Sequence, residues 1–288
     1  MIPFDFEYYK PSSAKEAVGL FHTLDSQDKS PMYYGGGTEI ISFSRLYQLY
    51  PKTVIDIKGI PECNVLEFQE DRLIIGAAIT LTQIQESNYY PLLSWCGGMV
   101  ADHTIRNKIT LGGNICARIP YREAVLALLV SSCEVVIEGK DGTRRELLEK
   151  VFNQSLRLES GDLLLQVILN KSCTGLPFFS IKRTANGKVK YPQDRIGYPL
   201  ISAAFVKRDG GIRAAFSGLC SFPFRSLDLE NVLNNQSIPI GDRLDRIIKL
   251  LPAQIMNDID GSREYREFIF RNTILEALEK LEGVGNVC

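Results

Sequence analysis

The chain has 288 residues, which is enough for one large domain or two of ordinary size. Hydrophobic residues make up 45% of it, so a full core can form and wholesale disorder is excluded. Its 33 Lys and Arg residues nearly balance 34 Asp and Glu residues, and this balance gives no electrostatic reason to expect a nucleic-acid partner.

Capping boxes, in which a hydroxyl and a carboxyl or amide group three residues later bond each other's backbone, predict two helix starts. Ser13 and Glu16 have this spacing ahead of apolar residues that recur at helical intervals up to Leu24. Thr80 and Gln83 have it ahead of a second, shorter helix. Apolar periodicity predicts further helices over 91–100, 123–130, 227–233, 244–251 and 265–281.

Runs of β-branched and aromatic residues predict the strands. They cover 32–34, 53–57, 73–75, 135–137, 163–169, 177–181, 201–207 and 212–217. Arg208-Asp209-Gly210-Gly211 predicts a hairpin between the last two strands. The stretch 102–120 has the composition of a loop around a β-like centre. Without a regular strand–helix alternation, this order favours an α+β fold over a doubly wound parallel sheet.

Several kinds of site and of location are disfavoured by the residue inventory. The start MIPFDFEYYK does not resemble an export signal, and no apolar run is long enough to span a membrane, so a cytoplasmic protein is predicted. The seven widely spaced cysteines include no C-x-x-C pair, so they are interpreted as reduced thiols that bind no metal. With only His22 and His103, a histidine-based triad or metal site has little support.

Two glycine pairs stand out, within 35–37 and at 112–113, about 75 residues apart. Each follows a β-like segment and has a threonine beside it, Thr38 after the first and Thr110 before the second. Successive amides in such turns can form an anion nest, and two nests together could hold one diphosphate from both sides. Alone, each pair is also typical of an ordinary tight turn. Neither fits the dinucleotide or Walker NTPase fingerprints.

The surroundings of the two pairs resemble a known family. Residues 34–39, YGGGTE, are similar to the A-G-G-T-D/E turn of the FAD subunits of xanthine and carbon monoxide dehydrogenases. Residues 104–115, TIRNKITLGGNI, closely resemble that family's Q-I-R-N-x-A-T-I-G-G-N-I. Further stretches at 4–24, 54–84, 218–225 and 260–266 extend the resemblance over nearly the whole chain.

The resemblance implies an α+β fold of the vanillyl-alcohol-oxidase/PCMH type. An FAD-binding domain is expected over 1–175, in two α+β subdomains of about 1–57 and 58–175. A C-terminal domain like that of carbon monoxide dehydrogenase flavoproteins, with a three-stranded antiparallel sheet and helices, is expected over 176–288.

The resemblance also implies a role as the FAD-carrying electron-transfer subunit of a molybdenum hydroxylase, most familiarly of the xanthine or purine type. Molybdopterin is expected in a large partner subunit and two [2Fe–2S] clusters in a small one. Electrons would pass from those clusters to FAD and on to NAD⁺ or another acceptor. No catalytic side chain and no metal ligand is expected in this chain. Its cofactor contacts are expected at Tyr34, Gly35, Gly36, Gly37, Thr38, Glu39, His103, Ile105, Thr110, Gly112, Gly113, Asn114, Glu123 and Lys182.

The sequence departs from the family directly after the second pair. Where the family has a small Ala-Ser pair, this chain has Arg118 and Ile119, although Pro120 and an acidic residue, Glu123, follow as expected. The extra bulk could weaken FAD binding, or Arg118 could simply face solvent or a partner. A scaffold subunit with weakened or lost FAD binding is therefore the alternative. A stand-alone FAD oxidase would need acid–base residues, and no convincing set is found.

Overall fold

The computed structural model of the protein describes residues 2–184 and 198–282. Its strands are β1 (Glu7–Tyr9), β2 (Pro31–Tyr34), β3 (Thr53–Asp56), β4 (Leu66–Gln69), β5 (Arg72–Gly76), β6 (Glu134–Gly139), β7 (Gly142–Leu147), β8 (Phe152–Asn153), β9 (Ser155–Leu156), β10 (Leu163–Asn170), β11 (Phe178–Thr184), β12 (Pro199–Arg208), β13 (Gly211–Ser217) and β14 (Phe224–Arg225). Its helices are α1 (Ala14–Ser26), α2 (Thr38–Arg45), α3 (Leu81–Ser87), α4 (Pro91–Gly98), α5 (His103–Arg106), α6 (Leu111–Cys116), α7 (Glu123–Leu129), α8 (Leu148–Val151), α9 (Leu227–Leu233), α10 (Ile240–Lys249) and α11 (Arg263–Glu282).

Contacts divide the chain into two compact units. The first unit comprises Met1–Tyr89, Asp102–Ala117 and Ser132–Cys173. The second comprises Tyr90–Ala101, Arg118–Ser131 and Thr174–Cys288. Two middle segments of the sequence thus belong to the second unit. The domain boundary near residue 175 stays a prediction.

The first unit contains a small parallel sheet and a five-stranded antiparallel sheet. In the parallel sheet β3 lies between β1 and β2, and all four of its residues are buried. Helix α1 packs against β2 and β3 and buries Ala17, Val18 and Leu24. The antiparallel sheet has the order β4-β5-β10-β6-β7, and β10 shifts register between Leu164 and Gln166.

In the second unit the antiparallel sheet has the order β11-β12-β13-β14. The predicted three strands are present, and β14 adds two residues at the edge. Asp209 and Gly210 both have positive φ, 53° and 78°, so they form the two-residue turn of the predicted hairpin. The apolar faces of α9, α10 and α11 share one core with this sheet, centred on Phe205, Phe216 and Phe270.

Most predicted helices are present, with differences at their ends. Thr80 and Gln83 form the complete predicted capping box at the start of α3. Ser13 also caps α1, and the Glu16 carboxylate accepts from both the amide and the hydroxyl of Ser12. Helix α10 begins four residues before the predicted start at residue 244, at Ile240.

The predicted loop with a β-like centre over 102–120 is correct only in part: Thr110 forms an isolated β-bridge with Thr80, but two short helices lie on either side of it. Asp102 caps α5 by accepting from the amide of Ile105. Thr110 caps α6 by accepting from the amide of Gly113. The second glycine pair therefore lies inside the first turn of α6 rather than in an open loop.

No disulfide links the cysteines of the described residues, and Cys288 lies outside those residues. Cys116 is exposed, and the others are buried. Burial raises the pKa of the Cys63 and Cys96 thiols to about 12. Such thiols fill core space and stay protonated. None of the described helices is both long enough and apolar enough to cross a lipid bilayer.

Candidate functional site

The first glycine turn joins β2 directly to α2. Gly37 has φ 71°, in the left-handed region that glycine tolerates, and no side chain caps the helix that follows. Within the described residues, the amides of Gly36, Gly37 and Thr38 have no hydrogen-bond acceptor. Unpaired amides at a helix N-terminus favour an anion, because their N–H groups and the helix dipole both attract negative charge. The turn is therefore a suitable site for a phosphate group.

The second glycine pair differs from the predicted second nest of amides, because its amides are already bonded within the chain. The amide of Leu111 donates to the carbonyl of Ile79, and that of Gly112 to Ala77. The amides of Gly113 and Asn114 both donate to Thr110, to its hydroxyl and carbonyl oxygens. A cofactor contact of α6 would therefore use side chains.

Asn114 offers one such side chain. It is 5% exposed, and its Oδ1 atom has no hydrogen-bond partner in the part of the chain that the structure describes. A buried acceptor without a partner is unfavourable by about 1–3 kcal/mol, so this atom calls for a donor such as a ligand hydroxyl. An orphaned buried acceptor is the second feature here that fits a ligand.

The two glycine pairs lie against one another, although about 75 residues separate them in the sequence. A methyl group added at Gly36 would lie 1.5 Å from the carbonyl oxygen of Lys108. One added at Gly35 would lie 2.8 Å from Thr110 Oγ1. These glycines are needed for close packing of the two segments.

A cluster of charged and aromatic side chains supports the first turn. Lys58 Nζ donates to the carbonyl oxygen of Gly35 over 2.9 Å and lies 2.8 Å from Asp56 Oδ1. The ammonium also lies 4.7 Å from the centre of the Tyr34 ring, within range of a cation–π interaction. Tyr8 donates from its hydroxyl to Asp56 Oδ2 over 2.5 Å. None of Lys58, Asp56 and Tyr8 was expected at the site.

The Asp56 carboxylate is charged although it is nearly buried, with 3% exposure. Burial alone would raise the pKa of Asp56, but hydrogen bonds from Lys58 and Tyr8 outweigh burial and hold it below its ordinary value. The same bond to Asp56 raises the pKa of Tyr8 to about 12. The Asp56 carboxylate is therefore charged at neutral pH and is bonded by both Lys58 and Tyr8.

The other predicted cofactor residues have different surroundings. Tyr34 packs its ring against Gly37, while Thr38 and Glu39 begin α2. His103 and Ile105 are exposed on α5 in the first unit.

Glu123 and Lys182 lie together in the second unit. Lys182 Nζ is 3.3 Å from Glu123 Oε1 and donates to the carbonyl of Met99 over 2.8 Å. Glu123 is buried, and the ion pair offsets part of the cost of burying its charge. Their contact with a cofactor stays a prediction, as it does for the residues of the first unit.

Arg118 and Ile119, which depart from the sequence motif, also lie in the second unit. Arg118 is exposed and Ile119 half-buried. The exposure of Arg118 agrees with the reading that it faces solvent or a partner. That exposure gives no support to the idea that the Arg118 side chain clashes with FAD inside a buried site.

Residues 4–171 match the family described as FAD binding domain in molybdopterin dehydrogenase. The nicotinate dehydrogenase FAD-subunit of Eubacterium barkeri is 30% identical over 176 residues, 58% of this chain and 59% of that protein. The carbon monoxide dehydrogenase medium chain of Hydrogenophaga pseudoflava is 31% identical over 173 residues, again 58% and 59%. The matched part thus spans about three fifths of these relatives.

A solved structure extends the likeness over the rest of the chain. It is that of carbon monoxide dehydrogenase from Hydrogenophaga pseudoflava lacking the Mo-pyranopterin moiety of its cofactor. One of its chains matches with a TM-score of 0.83 at 22% identity, over 98% of this chain and 99% of that one. The match confirms the predicted fold class.

Proposed function

Since this chain belongs to the family of FAD-binding domains of molybdopterin dehydrogenases, we propose that it is the FAD-binding, electron-transfer subunit of a molybdenum hydroxylase. Electrons would come from [2Fe–2S] clusters in a small partner subunit, which receives them from a molybdopterin-binding large subunit. They would leave to NAD⁺ or another acceptor. The observation that carries the proposal is the first glycine turn, whose amides at the start of α2 have no acceptor in the described part of the chain.

The residues at the turn fit the diphosphate of FAD. Within the described residues, the amides of Gly36, Gly37 and Thr38 are donors without acceptors, and the glycines at 35–37 place no side chain of their own in the turn. The Glu39 carboxylate adds negative charge at this helix end, while the Lys58 ammonium at Gly35 adds positive charge. Asn114 Oδ1 is suited to a hydroxyl of the ribityl or ribose group, because an acceptor cannot bond a phosphate oxygen.

This chain would contribute binding and orientation instead of acid–base chemistry. FAD, once bound, supplies the redox chemistry by accepting electrons and passing them on. Gly36, Gly37 and Thr38 would fix the diphosphate. The Lys58 side chain already bonds Asp56 and the carbonyl of the turn, so this pair would support the turn and not contact the diphosphate.

The relatives of this chain are named for different substrates. The two relatives above are named for nicotinate and for carbon monoxide, two unlike substrates. A purine substrate is proposed from the sequence resemblance. The substrate would bind in the large subunit, so residues of this chain do not select it.

FAD titration of the purified chain tests the proposal. We expect a stoichiometric flavin absorbance band, and we expect riboflavin, which lacks the diphosphate, to bind far more weakly. Failure to take up FAD, alone and together with the partner subunits, would refute the proposal and leave the scaffold role. Equal affinity for FAD and riboflavin would refute the assignment of the first turn.

A further inference from the structure

The peptide unit between Gly35 and Gly36 presents two groups in opposite directions. In a planar trans peptide the C=O and N–H bonds point in opposite directions. The Gly35 carbonyl and the Gly36 amide therefore face away from each other. Lys58 Nζ bonds that carbonyl over 2.9 Å. The Gly36 amide, which has no acceptor within the described residues, is therefore directed away from Lys58.

Glycine on both sides makes this peptide unit easy to rotate. Neither residue has a Cβ, so their φ and ψ angles are less restricted than those of any other residue type. Rotating the peptide by half a turn would exchange the directions of the carbonyl and the amide. A contact to the carbonyl favours one orientation, and Lys58 makes such a contact.

Lys58 is itself held on more than one side. Asp56 Oδ1 accepts from both the backbone amide and the ammonium of Lys58, at 2.9 and 2.8 Å. The hydroxyl of Tyr8 bonds the other carboxylate oxygen, and the Tyr34 ring lies beside the ammonium. Such a clamped lysine has given up most of its conformational freedom before a ligand arrives.

We propose that Lys58 is a positioning residue for the cofactor: it holds the Gly35 carbonyl so that the Gly36 amide points at the FAD diphosphate. This inference rests on the proposed function. It gives Lys58 an indirect role, because its ammonium lies on the carbonyl side of the peptide and not on the amide side. Its partner Asp56 acts only through Lys58.

The test compares FAD affinity in four variants by flavin fluorescence. Lys58→Met should weaken FAD at least tenfold, about 1.4 kcal/mol. Lys58→Arg keeps a cationic donor and should bind within about threefold of the parent protein. Lys52→Met is the matched control. Lys52 lies just before β3 and Lys58 just after it, but Lys52 bonds Asp28 and not the glycine turn. It removes the same charge and should bind normally.

A double variant separates positioning from folding. Lys58→Met leaves the buried Asp56 carboxylate without its cation, which could destabilise the fold by itself. Asp56→Asn with Lys58→Met removes that charge, so its unfolding temperature should return towards that of the parent. The FAD affinity of the double variant should stay at least tenfold weaker than that of the parent, and its riboflavin affinity should equal that of the parent.

The outcomes distinguish this inference from the proposed function. A parent protein that binds no FAD refutes the proposed function. If the parent protein binds FAD and either Lys58→Met or the double variant binds it equally well, only the positioning role is refuted. An equal loss of riboflavin and FAD affinity in the double variant also refutes it, since riboflavin has no diphosphate to contact.

Discussion

Replacing Gly36 by alanine tests the contact between the two glycine segments. The new methyl group would lie 1.5 Å from the carbonyl oxygen of Lys108 and 2.5 Å from its carbonyl carbon. Ordinary contacts begin near 3.4 Å, so the segments must separate by about 1.9 Å. We expect Gly36→Ala to lose FAD affinity because the two segments part, and not because a side chain blocks the diphosphate directly.

The Lys108 carbonyl is poorly able to move away. Its own amide and that of Ile109 both donate to the carbonyl of Ile105, and the Ile109 carbonyl accepts from Leu81. Overpacking typically destabilises a protein by about 1–3 kcal/mol, and a backbone obstacle places this variant at the upper end. At about 2–4 °C per kcal/mol, the unfolding temperature should fall by about 6–12 °C.

Thermal unfolding and FAD titration of three alanine variants form the assay. At Gly35 the nearest atom to a new methyl is the Thr110 hydroxyl oxygen at 2.8 Å, so Gly35→Ala should be milder than Gly36→Ala. Gly19 lies in α1 with nothing within 4 Å of a new methyl. Gly19→Ala is the control and should stabilise the protein by about 0.5–1 kcal/mol.

The order of the three variants decides whether the reasoning holds. We expect Gly36→Ala to unfold at the lowest temperature and Gly19→Ala at the highest. If Gly36→Ala unfolds like the parent protein and binds FAD normally, the packing of the two segments described above is wrong.

Three further outcomes are expected. Changing Arg118 to Ala and Ile119 to Ser should leave FAD affinity unchanged or tighter; a marked loss would identify them as contacts. Burial would raise the pKa of Asp162, but hydrogen bonds from Arg144 and the Glu159 amide hold it below its ordinary 3.8. Its stabilisation is thus present above pH 3.8 and lost as the pH falls through the lowered pKa, and urea unfolding should show Asp162→Asn to be less acid-sensitive. Iodoacetamide should alkylate exposed Cys116 before the five buried thiols, as peptide mass spectrometry can show, and equal rates would contradict their burial.

Local signals in the sequence predicted many elements correctly. Ser13 and Thr80 mark helix starts through bonds to residues three positions later, and such bonds depend on nothing distant. The Asp209-Gly210 turn likewise depends on backbone angles that those two residue types tolerate. Elements with a local cause could therefore be predicted from the residues that form them.

The segment around the second glycine pair was misread because its structure has a distant cause. Ile105, Ile109 and Thr110 are β-branched, and paired glycines disfavour a helix, so local propensity indicated a strand and a turn. In the structure, a methyl at Gly112 would lie 2.7 Å from the Cβ of Ala77. The glycine that weakens α6 is thus needed to pack it against another segment.

The site was predictable in part. The hypothesis that two distant glycine pairs act together agrees with their contact in the structure, whereas the amides of the second pair are occupied. Lys58 gave no signal, because its approach to Gly35 depends on the pairing of β2 with β3, where Tyr34 lies opposite Asp56. Parallel pairing of these strands is set by the fold and could not be derived from either strand alone.

Helix α7 has a consequence for how the protein is made. All seven of its residues are buried, and its contacts include β12, β13 and β14, which follow later in the chain. Strand β12 begins about 70 residues after α7 ends, so synthesis at about 5–20 residues per second takes about 4–14 s to supply it. For those seconds the nascent chain carries an apolar helix that has no sheet to cover it. Until β12 is made, this helix exposes the ribosome-bound chain to aggregation, to which the finished protein is not exposed in this way.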